Sequence, residues 1–320
     1  MNASEVMHIG ELLKNSPRNW GKWGDDDEVG ALNYLDTAEV LRGATAIRSG
    51  KTFTLAIPMA NPAGDPLWPG RQPASRYNVL DRGDFAAGAG PAIPGGNEYA
   101  DDIMVIYNQG SSQVDALGHV WYDNELYNGY PAETTAHTLT KASILPIAER
   151  GIVGRGVLID MARHRGKASL AKGETFTHDD LLAAAEAQGV EISPRSILVI
   201  RTGFIGSFWR EGAAEFYRDF NEPGLVYSPE LVEWFQRMEI PALVTDTIAN
   251  EVTVDPNTGI SLPLHSALMR NLGVTFSEIM SLDGLAEDCA ADGQWEFLYV
   301  AAPLKVFGGT GSPVNPVVIK

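Results

Sequence analysis

Three observations predict an α/β fold. Short apolar runs of strand length, "GVLIDM" at 156–161, "ILVI" at 197–200 and "PALV" at 241–244, are separated by segments carrying helix caps and helical spacing. The runs deliver Asp160, Thr202 and Asp246 at or just past their ends. Successions of strand, helix and strand build sheets whose ligand groups collect at the carboxyl ends of the strands.

Taken in order, the acidic run Asp25-Asp26-Asp27-Glu28 reads as a solvated turn or helix start. Asp36 then caps a helix with Glu39 three residues on, Val40, Leu41, Ala44 and Ile47 fall at helical spacing, and Gly50 is the stop. Residues 1–50 thus form an N-terminal extension and helix ahead of one domain over 51–320. Thr52–Pro58 is a strand. The stretch from about 60 to 100 is rich in Gly and Pro and carries Trp68, Tyr77, Phe85 and Tyr99. So long a segment without periodicity is usually a functional loop, and an active-site wall with Trp68 as its contact residue is expected here. Ile103, Val105 and Ile106 form a strand-like run that empties into a Gly-Ser-Ser turn.

Leu126–His137 is a polar and aromatic loop, followed by a helical piece near Ser143–Ala148. Thr177 and Asp180 form a capping box ahead of Leu181, Leu182 and Ala185, with Gly189 closing that helix. Ser228-Pro229-Glu230 opens another, its apolar face supplied by Leu231, Phe235 and Met238. Leu264–Leu272 is a short helix carrying His265, Thr275–Leu285 carries Glu278, and the last run is strand, glycine turn and strand. His137, His164 and His178 are read as surface side chains. Asp160 and Asp246 are read as loop anchors, Asp246 being the better functional candidate of the two.

Composition narrows the function classes. The net charge of −17 is spread along the 320 residues and opposes binding to nucleic acid or anionic membranes. The single cysteine, Cys289, makes no internal disulfide, and no leader or long apolar run is found, so the expected location is the cytoplasm. There is no G-x-S-x-G elbow, H-E-x-x-H helix or Walker loop, and the glycines at 151, 154 and 156 precede a strand, the wrong side for a dinucleotide turn.

Chemistry concentrates in "VIYNQGSSQVDALGHVWY", residues 105–122. Gln113, Asp115 and His119 lie at spacings of two and four on a segment leaving a strand. A carboxylate, an amide oxygen and an imidazole so placed could hold a divalent ion that activates water. The same residues also suit a turn cap and a packed histidine. Trp121 and Phe204 could stack on an aromatic substrate or pack in the core.

The segment resembles the signature H-x-G-T-H-x-D-x-x-x-H of the metal-dependent cyclase-like amidohydrolases, a family that includes bacterial kynurenine formamidase and isatin hydrolase. Asp115 falls on the signature's aspartate and His119 on its final histidine, while Gln109 and Gln113 stand where its first two histidines would be. The likeness continues through "WGDDDEVGALNYL", "GRGVLIDMA", "VIRTGF", "PLHSALMRNLGVTFSEIMSLDGL" and "APLKVFGGTGSPVNPV". It implies a swivelling β/β/α-type single domain with a mixed sheet and flanking helices. It also implies a divalent metal and hydrolysis of an amide, imide or lactam-like C–N bond in a small, often aromatic compound. Gln109, Gln113 and Asp115 would occupy ligand positions, with His119 as general base or proton shuttle and His265 and Glu278 completing the site or serving a second metal. Two amides in place of imidazoles move preference from zinc toward manganese. The alternative is a metal-free acid–base hydrolase or lyase, or a binding protein that has lost catalysis. Relatives imply a homodimer or homotetramer.

Overall fold

The apolar runs become the middle of one nine-stranded sheet in the computed structural model, which describes residues 6–320. In chain order the strands are β1 (Thr52–Thr54), β2 (Ser75–Leu80), β3 (Asp101–Val105), β4 (Gln113–Asp115), β5 (Ile152–Asp160), β6 (Thr175–Phe176), β7 (Ile197–Arg201), β8 (Gly224–Leu225), β9 (Ala242–Thr245), β10 (Thr275–Glu278), β11 (Glu296–Ala301), β12 (Gly311–Pro313) and β13 (Val317–Ile319). The large sheet runs β1-β13-β11-β5-β7-β9-β10-β4-β12. Its heart, β5-β7-β9-β10, is parallel, and every flanking pair is antiparallel. Strands buried on both faces read as continuous Val, Ile and Leu runs, and β7 and β9 do. Beyond β1, Ala56 bridges to Met280 just beyond β10, so the sheet curls until its edge meets its interior.

Helices flank the parallel strands. The capping box Thr177/Asp180 opens the helix His178–Gln188, and Gly189 ends it in a left-handed conformation, as expected. Ser228 caps Pro229–Arg237, which buries Leu231, Val232, Trp234 and Phe235. Asp36 caps Thr37–Ala44, but Glu39 pairs with Arg42 in place of closing a capping box, and the helix ends well before Gly50. Within residues 6–50, Leu13, Ala31, Leu32 and Leu35 join the same core as the large sheet; residues 1–5 of the N-terminal extension lie outside the described residues.

Three local readings are corrected and a fourth, the strand-like run, is kept but placed outside the large sheet. Asp27 and Glu28 are not merely solvated: Asp27 accepts from Tyr127 Oη (2.7 Å) and Gly30 N (2.9 Å), and Glu28 accepts from Ala142 N (2.6 Å). The apolar run at 103–106 does end a strand, but β3 pairs only with β2 in a separate hairpin and is exposed throughout. The strand at Thr52 stops at Thr54, because Ala56 N turns to the Asn315 side chain. His178 is half-buried against Trp234, with ring centroids 4.9 Å apart. Among the described residues no helix is long and apolar enough to cross a membrane.

Candidate active site

The site begins with a register. β4 runs antiparallel to β10 with Gln113 opposite Glu278 and Val114 opposite Ser277. Successive side chains on a strand alternate faces, so Gln113, Asp115 and Glu278 share one face while Val114 and Ser277 take the other. On the far side β12 places Gly311 opposite Asp115. A Cβ there would come within 2.6 Å of Gln109 Nε2, so glycine is what admits that amide beside the strand. Directly after Glu278, Ile279 has φ +59°, a conformation that costs a β-branched residue about 1–3 kcal/mol. Its carbonyl takes the Ser112 hydroxyl and its N–H donates to Thr247 O (2.8 Å), which holds it there.

The third member arrives from a π-helical turn, His265–Arg270. Glu251 organises its start: one carboxylate oxygen accepts from Leu264 N and the other from His265 N, both at 2.7 Å. His265 Nδ1 lies 2.7 Å from that second oxygen, which turns Nε2 toward Glu278 Oε1 at 3.4 Å. A carboxylate on one ring nitrogen, leaving the other aimed into a cluster, is the arrangement that orients metal-binding histidines. Burial pulls the His265 imidazole down, but the hydrogen bonds and charges of Glu251 and Glu278 outweigh it and raise its pKa to about 10. Burial and the Asp115 charge push Glu278 up. The pocket therefore calls for positive charge.

Asp115, His265 and Glu278 each offer a ligand atom, all within 4.8 Å of one another, and all three are buried. Gln113 Nε2 donates to Glu278 Oε2, and Asn250 Nδ2 donates to its Oε1 at 3.3 Å. Asp115 Oδ1 and Gln113 Oε1 are buried with no hydrogen-bond partner. Unpartnered buried oxygens are costly, and here two face a group able to bind a cation. The residues fit a divalent ion.

His119 Nε2 lies 3.9 Å from Asp115 Oδ1, and its Nδ1 lies 3.5 Å from Gln109 Nε2, which also donates to Thr310 Oγ1 at 3.1 Å. Burial, with His265 and Arg71 adding to it, lowers the His119 pKa against the opposing pull of Asp115. The imidazole is therefore neutral at pH 7 and able to accept a proton. Arg71 reaches the same region, donating from Nη1 to Gln109 O at 3.0 Å.

The structure thus brings Gln109, Gln113, Asp115, His119, His265 and Glu278 together, although they span 170 positions of sequence. Trp68 lines a cavity beside Arg71. Trp121 is 47% exposed, whereas Phe204 is 2% exposed and packs with Ile57, Phe208 and Phe216 in a second core cluster. Asp160 and Asp246 are anchors: Asp160 holds Arg201 (2.8 Å), and Asp246 accepts from Thr202 and Gly203. Sequence reasoning missed Glu251, Asn250 and Arg71. The acid Glu251, fourteen residues before His265, was the one available signal.

This geometry has relatives. The family model described as "Putative cyclase" matches residues 53–252. The crystal structure of a protein described as a novel cyclase is 38% identical, covers 95% of this chain and 100% of its own, and superposes with a TM-score of 0.86. Isatin hydrolase A from Ralstonia solanacearum is 22% identical over 90% of this chain and 96% of its own, with a TM-score of 0.61. Isatin hydrolase A from Labrenzia aggregata, bound to benzyl benzoate, is 18% identical over 90% and 98%, with a TM-score of 0.60. No curated protein matches. The family model spans more than half of the chain, including β4 and its Gln113 and Asp115, so the chain belongs to the cyclase family.

Proposed function

We propose that this protein is a metal-dependent hydrolase that cleaves a C–N bond in a small amide, imide or lactam. The observation that carries the reading is the buried convergence of Asp115, His265 and Glu278, with Asp115 Oδ1 and Gln113 Oε1 left unpartnered. Those residues would hold the ion, Gln113 through its amide oxygen. Two carboxylates and an amide oxygen to one imidazole make an oxygen-rich set, which favours manganese over zinc. When bound, the ion supplies Lewis-acid polarisation of a carbonyl and makes water more acidic.

The chain's own residues do the rest. Glu251 would fix the tautomer of His265 by accepting a hydrogen bond from its Nδ1–H, which leaves Nε2 free for the ion. His119, held neutral, takes a proton from the attacking water at Nε2 and passes it to the leaving nitrogen as the C–N bond breaks, giving a carboxylic acid and an amine, or a carboxylic acid and an amide where the substrate is an imide. The isatin hydrolase neighbours support a hydrolytic reading of the fold. Self-assembly to a homodimer or homotetramer in the cytoplasm belongs to the same reading, supported by exposed Tyr77, Val79, Ile103 and Val105 on the hairpin. A metal-free acid–base enzyme or binding protein is the second reading, favoured by the Gln113 hydrogen bond that already occupies one Glu278 oxygen.

Elemental analysis after incubation with Mn²⁺ tests this on wild type and Asp115→Ala. About one manganese per chain, lost in the variant, is expected for a site whose ligands are these side chains. No metal in wild type, with manganese or zinc supplied, would transfer the conclusion to the metal-free reading.

A further inference from the structure

Residues 68–71, Trp-Pro-Gly-Arg, form a tight turn in which Arg71 N donates to Trp68 O at 3.1 Å. Proline stands second and Gly70 third with φ +98°, the pairing a type II turn requires. Both ends of the turn project into one cavity of about 580 Å³, where Trp68 and Arg71 meet Leu67, Phe208, Tyr217 and Phe220. The wall is fixed. Tyr217 Oη accepts from Leu67 N (2.8 Å) and donates to Leu67 O (2.9 Å), and Trp68 meets Phe220 edge-on at 5.9 Å.

Arg71 is the anomaly in that wall. It is half-buried, its side chain makes one hydrogen bond, to Gln109 O, and among the described residues no carboxylate lies within ion-pair distance of it. The acid in the same wall, Asp65, is occupied by the N–H groups of Ala60 and Asn61 at 3.1 Å each. A half-buried guanidinium with one hydrogen bond has donors to spare, and its fork matches a carboxylate. Its bond to Gln109 O, on a residue whose side chain lies 3.5 Å from His119, ties this wall of the aromatic cavity to the neighbourhood of the catalytic cluster.

We propose that Arg71 is the specificity residue for an anionic substrate. It pairs with a carboxylate on a compound whose ring-sized apolar part fills the cavity between Trp68, Phe208, Tyr217 and Phe220, with the scissile C–N bond reaching the Asp115/His265/Glu278 cluster. The substrate class is a carboxylate-bearing aryl or alkyl amide. That it is a substrate, and not a bound ligand only, rests on the hydrolase reading above. The volume lies in the ordinary range of small-molecule pockets, and the apolar lining strengthens the ion pair relative to one in water.

The test is calorimetric binding of two probes of one shape, 3-phenylpropionate and 3-phenylpropionamide, to wild type, Arg71→Gln and Trp68→Ala, with manganese content measured on the same samples. Wild type should bind the acid at least about tenfold tighter than the amide. Arg71→Gln should lose that preference while its amide affinity stays within about twofold, and Trp68→Ala should weaken both probes. Equal binding of acid and amide by wild type overturns the proposal without recourse to any variant. So does an acid preference that survives in Arg71→Gln, since the carboxylate then rests on another group. Absence of manganese with the preference intact refutes only the metal reading, and manganese without the preference refutes only the role of Arg71.

Discussion

Two neighbouring parallel strands, β9 and β10, each deliver a buried carboxylate, Asp246 and Glu278, and the two are treated oppositely. Asp246 receives Thr202 N (2.7 Å), Thr202 Oγ1 (2.7 Å) and Gly203 N (2.6 Å), so a turn after β7 is folded around it. Burial lifts its pKa to about 6 against those donors. Glu278 receives only side chains, Gln113, Asn250 and His265, brought from three separate segments, and it stands beside Asp115, whose Oδ1 nothing satisfies. A carboxylate at a strand end is therefore not by itself a functional signal. Backbone donors from one turn mark an anchor; converging side chains with oxygen left over mark a place where a cation belongs.

The contrast breaks most visibly under substitution. Asp115→Ala should cut activity roughly 10³-fold while leaving thermal stability unchanged or slightly higher, because it removes an unpartnered buried charge. Asp246→Ala should do the reverse, costing about 3 kcal/mol of stability by stranding three buried donors, with manganese content intact in whatever folds. Denaturant unfolding beside metal analysis reads both. If Asp246→Ala sheds metal at full stability, the two carboxylates are alike and the distinction fails. Glu251→Gln sharpens the comparison from the site's side: loosening the His265 support should lower manganese affinity about 10–100-fold. In wild type, metal must displace the proton that His265 holds up to a pKa of about 10. Manganese affinity should then climb about tenfold per pH unit through neutral pH, and a flat titration would contradict the place of His265 among the ligands.

Much of this was legible where the determinants are local. The Thr177/Asp180 box, the Ser228-Pro229 start and the runs of β5, β7 and β9 are patterns within a dozen residues, and the structure keeps them. The likeness to the signature singled out Asp115 and His119, and the likeness of the late segment singled out His265 and Glu278, but neither says what each touches. The pairing of Gln113 with Glu278 is set by a strand register across 165 positions, which no local period encodes. Glu251 and Asn250 lie in an irregular connection, where function depends on a contact and not on spacing. Asp27 was misjudged for a similar reason, since its partner Tyr127 is a hundred residues away. The run Ile103–Ile106 was legible as strand, but nothing local in it says that β3 stands outside the large sheet and is exposed.

A third buried carboxylate refines the comparison by the smallest expected effect. Glu222 is fully buried; its Oε1 accepts from Ile248 N at 2.6 Å, and its Oε2 has no partner. Burial lifts its pKa well above the ordinary range, and the charges of Glu278 and Asp246 push the same way against the N–H groups of Ile248 and Ala249. With neither the full donor set of Asp246 nor a cation site, it is neutralised by a proton. Glu222→Gln keeps both shape and neutrality, and at about pH 5, where the unfolded wild type has only begun to release this proton, it should shift stability by less than about 1 kcal/mol. The sign of its pH dependence follows from linkage: above the ordinary value of 4.5 the unfolded chain releases this proton and the folded chain keeps it, so wild type loses stability relative to the variant as pH rises. Calorimetric melting of both proteins from about pH 5 to pH 8 measures that gap. A gap that narrowed or stayed constant would mean that Glu222 is ionised in the fold, and that an unpartnered buried oxygen does not by itself mark the place of a cation or a proton.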